Sequence, residues 1–304
     1  MNKTHLGYLF MVLSAGSFAA MSFFSKMAYN MGLSVPALML IQSVITQAIL
    51  GYMYLRESRP ALPRGRVSPG LLALFALSGG ASTVAMSYVF FYLSLSLGTI
   101  LLFTYPAFVT IFAWLVLGER PTAGHLAVLA LTLLGALLTV NLQDVASGST
   151  TLLGIVLALL GAALYSLYMV LGERVVGGLS PVAATSLARA TVLATALLLS
   201  GGVWSELPTI SGAGWLAAIL SAVVGGAAPF LFLHRGVALI GSNRAAIVSV
   251  AELPFALTLG MLFQGDVILP LQWLGTLLIG AAVVVSQRQA RGGAGASRGY
   301  GPGA

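Results

Sequence analysis

The sequence predicts an all-α membrane protein: ten transmembrane helices arranged as two inverted-topology five-helix repeats. Three observations carry that prediction. First, 59% of the 304 residues are hydrophobic and only 7% are charged, whereas a soluble domain carries roughly 25% charged residues. A chain so poor in charge cannot cover a water-facing surface, and a bilayer is the surrounding that suits it. Second, apolar runs such as Leu126 to Val140 and Leu271 to Val285 continue without period-2 alternation. Spanning structures in hydrocarbon are helices or closed barrels, and the missing alternation excludes the barrel. Third, features of the first half recur in the same order in the second.

The spans follow from apolar runs and their breaks. Span one is about 6–29, two about 35–55, three about 70–93, four about 97–117 and five about 123–141. Span six is about 152–172, seven about 181–202, eight about 213–233, nine about 241–263 and ten about 270–288. Each approximates the ~20 residues that cross ~30 Å of hydrocarbon. The first run, Leu6 to Met27, follows a short basic lead at Lys3 but exceeds the apolar region of a signal peptide and lacks a cleavage signal. It reads as span one. Breaks carry stop and start chemistry, as at Gly118-Glu119-Arg120-Pro121-Thr122. The domain reading is residues 1–145 and 146–290 as the two repeats, with 291–304 as a Gly-rich, disordered cytoplasmic tail.

Charge sets the orientation. With the amino terminus inside, Lys3, Arg56, Arg59, Arg64, Arg66, Arg120, Arg174, Arg235, Arg288, Arg291 and Arg298 all fall on the cytoplasmic side, while Asp144, Glu206 and Asp266 fall outside. By the positive-inside rule both termini are cytoplasmic, in a bacterial-type plasma (inner) membrane. The net charge of +7 is thereby explained by topology, with no nucleic-acid partner. Trp114, Trp204, Trp215 and Trp273 lie near span ends and read as an interfacial belt.

The repeat is the most informative feature. Gly7 to Met27 aligns with Gly154 to Arg174 at constant offset, pairing Gly7 with Gly154, Ala15 with Ala162 and Phe18 with Tyr165. Gly79-Gly80 then matches Gly225-Gly226, Pro106 approximates Pro254, and Gly118-Glu119 matches Gly265-Asp266. Five spans per half is odd, so the second half enters from the opposite side. Inverted repeats of this kind build secondary transporters, with the site near the midplane between halves.

The segment from Tyr92-Leu-Ser-Leu-Ser-Leu-Gly-Thr through Tyr105-Pro106 to Leu117-Gly118-Glu119-Arg120-Pro121 resembles the EamA family of the drug/metabolite transporter superfamily. So does Arg235-Gly-Val-Ala-Leu-Ile-Gly241 through Ala251-Glu252-Leu253-Pro254. Gly265-Asp266 departs from the family's more usual Gly-Glu at that loop. The resemblance spans about residues 5–288 and implies two inverted five-helix repeats and, often, export of amino acids or related metabolites.

Several residues are candidates for substrate binding or coupling. Pro106 and Pro254 sit inside spans four and nine, where proline frees the carbonyls of Leu102 and Val250 as acceptors or hinges, with a packing kink whose carbonyl a neighbour satisfies as the alternative. Glu252, just before Pro254, is an acid within a span, and such acids face a bundle interior or a water path. Arg189 in span seven offers a cation to a substrate carboxylate, with snorkelling towards the interface as the structural alternative. Tyr88, Tyr105, Tyr165 and Tyr168 suit a cavity for amphipathic or aromatic solutes, against ordinary helix packing. Lys26 and Glu173 occupy equivalent repeat positions near span ends and read as anchors. His5, His125 and His234 are scattered at span ends and make no metal site.

The rival classes are an intramembrane enzyme and a non-transporting scaffold or sensor. No His-Glu-x-x-His or P-loop occurs. The Gly-x-Ser-x-Gly match at Gly295 to Gly299 lies in the tail, and Gly212-Ala-Gly214-Trp-Leu-Ala217 opens a membrane helix rather than following a strand. With no cysteine, thiolate chemistry is excluded. The sequence thus predicts a transporter of small molecules that uses no cofactor, with association into a homodimer left open.

Overall fold

The computed structural model describes residues 3–56, 67–93, 98, 101–139, 151–264 and 269–296. The loops around Arg59, Asp144 and Asp266 lie outside them. The described residues are helical throughout, without a strand. In chain order they form α1 (Lys3–Asn30), α2 (Val35–Arg56), α3 (Pro69–Tyr92) and α4 (Tyr105–Phe112, extended by a π turn over Ala113–Leu117). Next come α5 (Ala123–Thr139), α6 (Leu152–Val175) and α7 (Pro181–Leu198), then short helical turns over 200–209. The composite α8 joins Gly212–Ala222, a π turn Val223–Ala227, and Ala228–Ile240. The composite α9 joins Ser242–Ser249 and Glu252–Gln264, and α10 is Pro270–Ala296.

Seven of these helices are long and apolar enough to cross a membrane; Tyr105–Leu117, Ala123–Leu138 and Pro270–Ser286 are shorter apolar helices. The outer surface is apolar, with Leu55, Leu152, Leu198, Leu277 and Phe263 all largely exposed. In water such a surface would aggregate, and in a bilayer it is the solvated face. Trp114, Trp204 and Trp273 are exposed near helix ends. Trp215, partly buried near the start of α8, packs on the cluster of Ala28, Leu33 and Leu38.

Helix starts are explained locally. Ser68, Thr151, Ser180 and Ser211 each accept a hydrogen bond from the backbone N–H three residues on, at 3.1–3.2 Å. Pro69 and Pro181 follow two of these caps, where the missing N–H costs nothing. Carboxylates cap two further starts across long sequence separations. Ser34 donates its N–H and hydroxyl to Glu206 at 2.7 and 2.6 Å, and the Ser242 N–H donates to Glu173 at 2.6 Å. Glu173, read as an interfacial anchor, is thus a helix cap. At the α8–α9 corner Gly241 has φ 78° and ψ 160°, a region essentially restricted to glycine.

Three boundaries depart from the sequence reading. Span seven ends at Leu198 rather than 202. Span eight runs on to Ile240 and stops at Gly241, whose positive φ ends the helix. The last helix continues to Ala296, so residues 291–296 of the expected disordered tail are helical. Once a helix exists, each added residue costs little to propagate.

Packing is dominated by close approaches at small residues. Helix α3 lies along α6 and α7, and α1 along both halves of α8. Helix α2 packs on α7 and α8, α4 on α6, α1 on the second half of α9, and α5 on α10. A methyl group at Gly79 or Gly80 would run into Tyr168 or Thr191; at Gly225 or Gly226 it would run into Met21 or Thr46. Gly154 abuts Tyr92 and Leu93, as Gly7 abuts Leu239 and Ile240. Absent side chains let helices touch and gain dispersion contacts where lipid offers no hydrophobic drive.

Candidate functional site

Two helices are interrupted near the centre of the bundle. Helix α4 restarts at Tyr105 after a turn at Phe103–Thr104, and α9 restarts at Glu252 after a turn at Val250–Ala251. Pro106 and Pro254 fall in the first turn after each break, where an N–H would have no helical partner. The sequence reading left the Val250 carbonyl free as an acceptor. It instead takes the Leu253 N–H at 3.0 Å, in a tight turn that closes the break. Thr104 similarly donates its hydroxyl to the Leu101 carbonyl at 2.6 Å.

The two breaks are brought together. The Tyr105 hydroxyl donates to the Ala246 carbonyl in the first half of α9 at 3.3 Å, and the Tyr105 carbonyl accepts from the Ser166 hydroxyl at 2.9 Å. Tyr105 meets Tyr165 edge-on at 5.2 Å between centroids, and Tyr165 lies 6.1 Å from Tyr168. Tyr168 stacks on Phe75 at 4.9 Å. Glu252, half-buried, acts electrostatically on both Tyr105 and Tyr165. Its place in the first turn of a half-helix, at the positive end of the dipole, makes a carboxylate tolerable there. Helices α1, α3, α4, α6, α8 and α9 all contribute to this core, and aromatic side chains pack it. Tyr88 stands apart, near the end of α3 and within electrostatic range of Tyr29.

Arg189 is 8% exposed, so it does not snorkel. Its Nη2 donates to the Thr83 hydroxyl at 2.6 Å, and its Cζ lies 4.0 Å from the centre of the Phe230 ring. Arg189 lines a small cavity of about 30 Å³ together with Gln42, Ser43, Thr46, Thr83 and Ser87. The Arg189 Nε is buried without a hydrogen-bond partner, as are the Tyr168 hydroxyl and the His234 Nε2.

Sequence reasoning missed His234. It is not at a span end but 1% exposed inside α8, with Nδ1 2.8 Å from the Thr185 hydroxyl and its ring 5.5 Å from Tyr168. The signal was its distance from a helix end, hidden because the apolar run appeared to stop at Leu233. Gln42 was missed too, since one amide in a span is ordinary.

A bundle of apolar helices, two of them broken just before a proline, is the architecture of a polytopic membrane protein. The model of the EamA-like transporter family matches this chain twice, over residues 5–141 and 152–287. The chain belongs to that family. It is 28% identical over 277 residues to the Bacillus subtilis (strain 168) protein named "Uncharacterized transporter YcbK", covering 86% of each. It is also 28% identical over 182 residues to the Synechocystis sp. (strain ATCC 27184 / PCC 6803 / Kazusa) protein named "Uncharacterized transporter sll1319", covering 59% of this chain and 54% of that one. A solved crystal structure shares the fold at a TM-score of 0.74 and 17% identity, over 94% of this chain and 97% of the other. This is therefore a membrane transporter, and its partners are a bilayer and a small-molecule substrate.

Proposed function

We propose that this protein is a secondary transporter that carries a small metabolite across the membrane by alternating access. Its halves, residues 1–145 and 146–290, act as inverted five-helix repeats. The observation that carries the reading is the double family match, 5–141 and 152–287. Packing supports it: exchanging each helix for the one five places away turns α3 on α6 into α8 on α1, and α4 on α6 into α9 on α1. The same exchange turns the Gly80–Thr191 approach into Gly226–Thr46. Two equivalent halves of opposite orientation supply two states, one open to each side.

Substrate and coupling residues in this reading are Glu252, Tyr105, Pro106, Pro254, Tyr165, Tyr168 and Arg189, with Tyr88 nearer the outer end. The cargo is an amino acid or related compound, and the physiological direction is export from the cytoplasm. The protein sits in a bacterial-type inner membrane with both termini inside. Purified protein in liposomes, screened against labelled metabolites with and without an imposed pH gradient, tests this. Saturable flux dependent on the protein is expected. Binding or chemical turnover without flux would favour the scaffold or enzyme reading.

A further inference from the structure

We propose that the Arg189 cavity is a subsite for the carboxylate group of the transported solute. This rests on the transport reading and adds the chemistry of what is carried. A guanidinium stays charged under all physiological conditions. Held inside a membrane protein, it needs a partner of opposite sign or a dense set of acceptors. Arg189 has neither among the described residues: a single hydroxyl, Thr83, at 2.6 Å and the face of Phe230 at 4.0 Å. A ring face and one hydroxyl offset only part of the desolvation of a full charge. The unpartnered Nε marks where the missing partner belongs.

The geometry selects the chemical class. The Nε–H and the adjacent terminal nitrogen form the side-on edge of the guanidinium, a two-point fork matched to the two oxygens of a carboxylate. The cavity that Arg189 lines adds only neutral groups: the Gln42 amide and the hydroxyls of Ser43, Thr46, Thr83 and Ser87. Ser43 and Thr46 are the hydroxyls left to donate to an anion, because Thr83 and Ser87 give theirs to the Gly79 and Thr83 carbonyls and the Gln42 amide gives its N–H groups to Ser25 and Ser221; no carboxylate is among these groups to repel it. No acidic side chain lines the cavity, so a cationic group would gain nothing there. Glu252 lies on the other side of the tyrosine group, with Tyr165 within electrostatic range of both Glu252 and Arg189. The subsite is thus distinct from the proposed coupling acid. Helices α2, α3 and α7 supply its walls, while Gly225 and Gly226 of α8 leave the room that side chains would fill.

The test uses purified full-length protein in detergent, with lactate as probe and its neutral amide, lactamide, as control. Thermal unfolding is followed as each is added. Lactate should raise the unfolding temperature in a saturable way and lactamide should not. Arg189→Gln should abolish the lactate effect, and Arg189→Lys, which keeps the charge but not the fork, should weaken apparent affinity about tenfold. If Arg189→Gln does not fold, Ser43→Ala keeps the test alive, with an expected three- to tenfold loss. Equal stabilisation by lactate and lactamide, or a lactate response unchanged in the Arg189 variants, overturns the subsite. Labelled lactate flux in liposomes separates the two readings: Arg189-dependent binding without lactate flux leaves the anion subsite standing, and transport then stands or falls on the metabolite screen in the same liposomes.

Discussion

Glu252 stands where a helix restarts, two residues before a proline and beside two tyrosines from other helices. A central acid costs about 3 kcal/mol on insertion scales, and an apolar side chain could fill the same place without that cost. The neighbours facing it are Tyr105 from α4 and Tyr165 from α6. Glu252→Gln is expected to fold and reach the membrane but to slow flux or flatten its dependence on pH. Flux normalised to protein level, measured over a range of pH in the same liposomes, checks this. Wild-type rates with an unaltered profile would reduce Glu252 to a cap on its own half-helix. At this scale the sequence was partly legible. A lone acid or arginine in an apolar run is conspicuous, because few alternatives explain its cost. His234 and Gln42 were not, because what matters about them is the Thr185 hydroxyl and the Arg189 cavity, contacts made by distant helices.

At the scale of elements, the contacts that set helix spacing are glycines against threonines. A methyl group at Gly226 would strike the Thr46 hydroxyl, and one at Gly80 the Thr191 hydroxyl. Gly226→Ala should destabilise the protein by about 1–3 kcal/mol, the range for overpacking. Combining it with Thr46→Ala should recover part of that loss, and the Gly80 and Thr191 pair should behave alike. A double-mutant cycle by thermal unfolding in detergent measures the coupling. Additive losses at both pairs would mean the helices separate to accommodate the methyl. The glycine pairs were legible as marks of close packing, and the partner threonines were not. The helix breaks were legible because proline announces them. Their closure by Leu253 N–H on the Val250 carbonyl was hidden, since a sequence does not state which turn a freed carbonyl will accept.

For the whole molecule, the apolar helical architecture was legible from composition, and the EamA-like transporter family from the resemblance carried by the segments around Tyr105-Pro106 and Glu252-Leu253-Pro254. The orientation rests on basic residues at span ends. A single cysteine at Arg59 should be protected from a membrane-impermeant thiol reagent in whole cells, and one at Asp144 should be labelled. The natural absence of cysteine makes the background clean. Labelling at Arg59 with protection at Asp144 would reverse the topology. Individual helix ends were less legible: the polar pair His234-Arg235 looked like the end of span eight, and the helix continues up to Gly241.

The π turn in α8 also fixes a phase. Such a turn is an α-helix carrying one surplus residue, and each residue turns a regular helix by about 100°. Everything after Val223–Ala227 is therefore rotated relative to everything before it, and that rotation is what aims Phe230 at Arg189 and His234 at Thr185. Removing one residue from the turn, for example Val224, should leave a longer-lived, straighter α8 whose inner half faces the wrong neighbours. The expected result is a protein that still inserts but loses transport, while substituting Val224 by Leu leaves both intact. On this account the spare residue works as a dial setting: its deletion alters no side chain, only which neighbour each one meets.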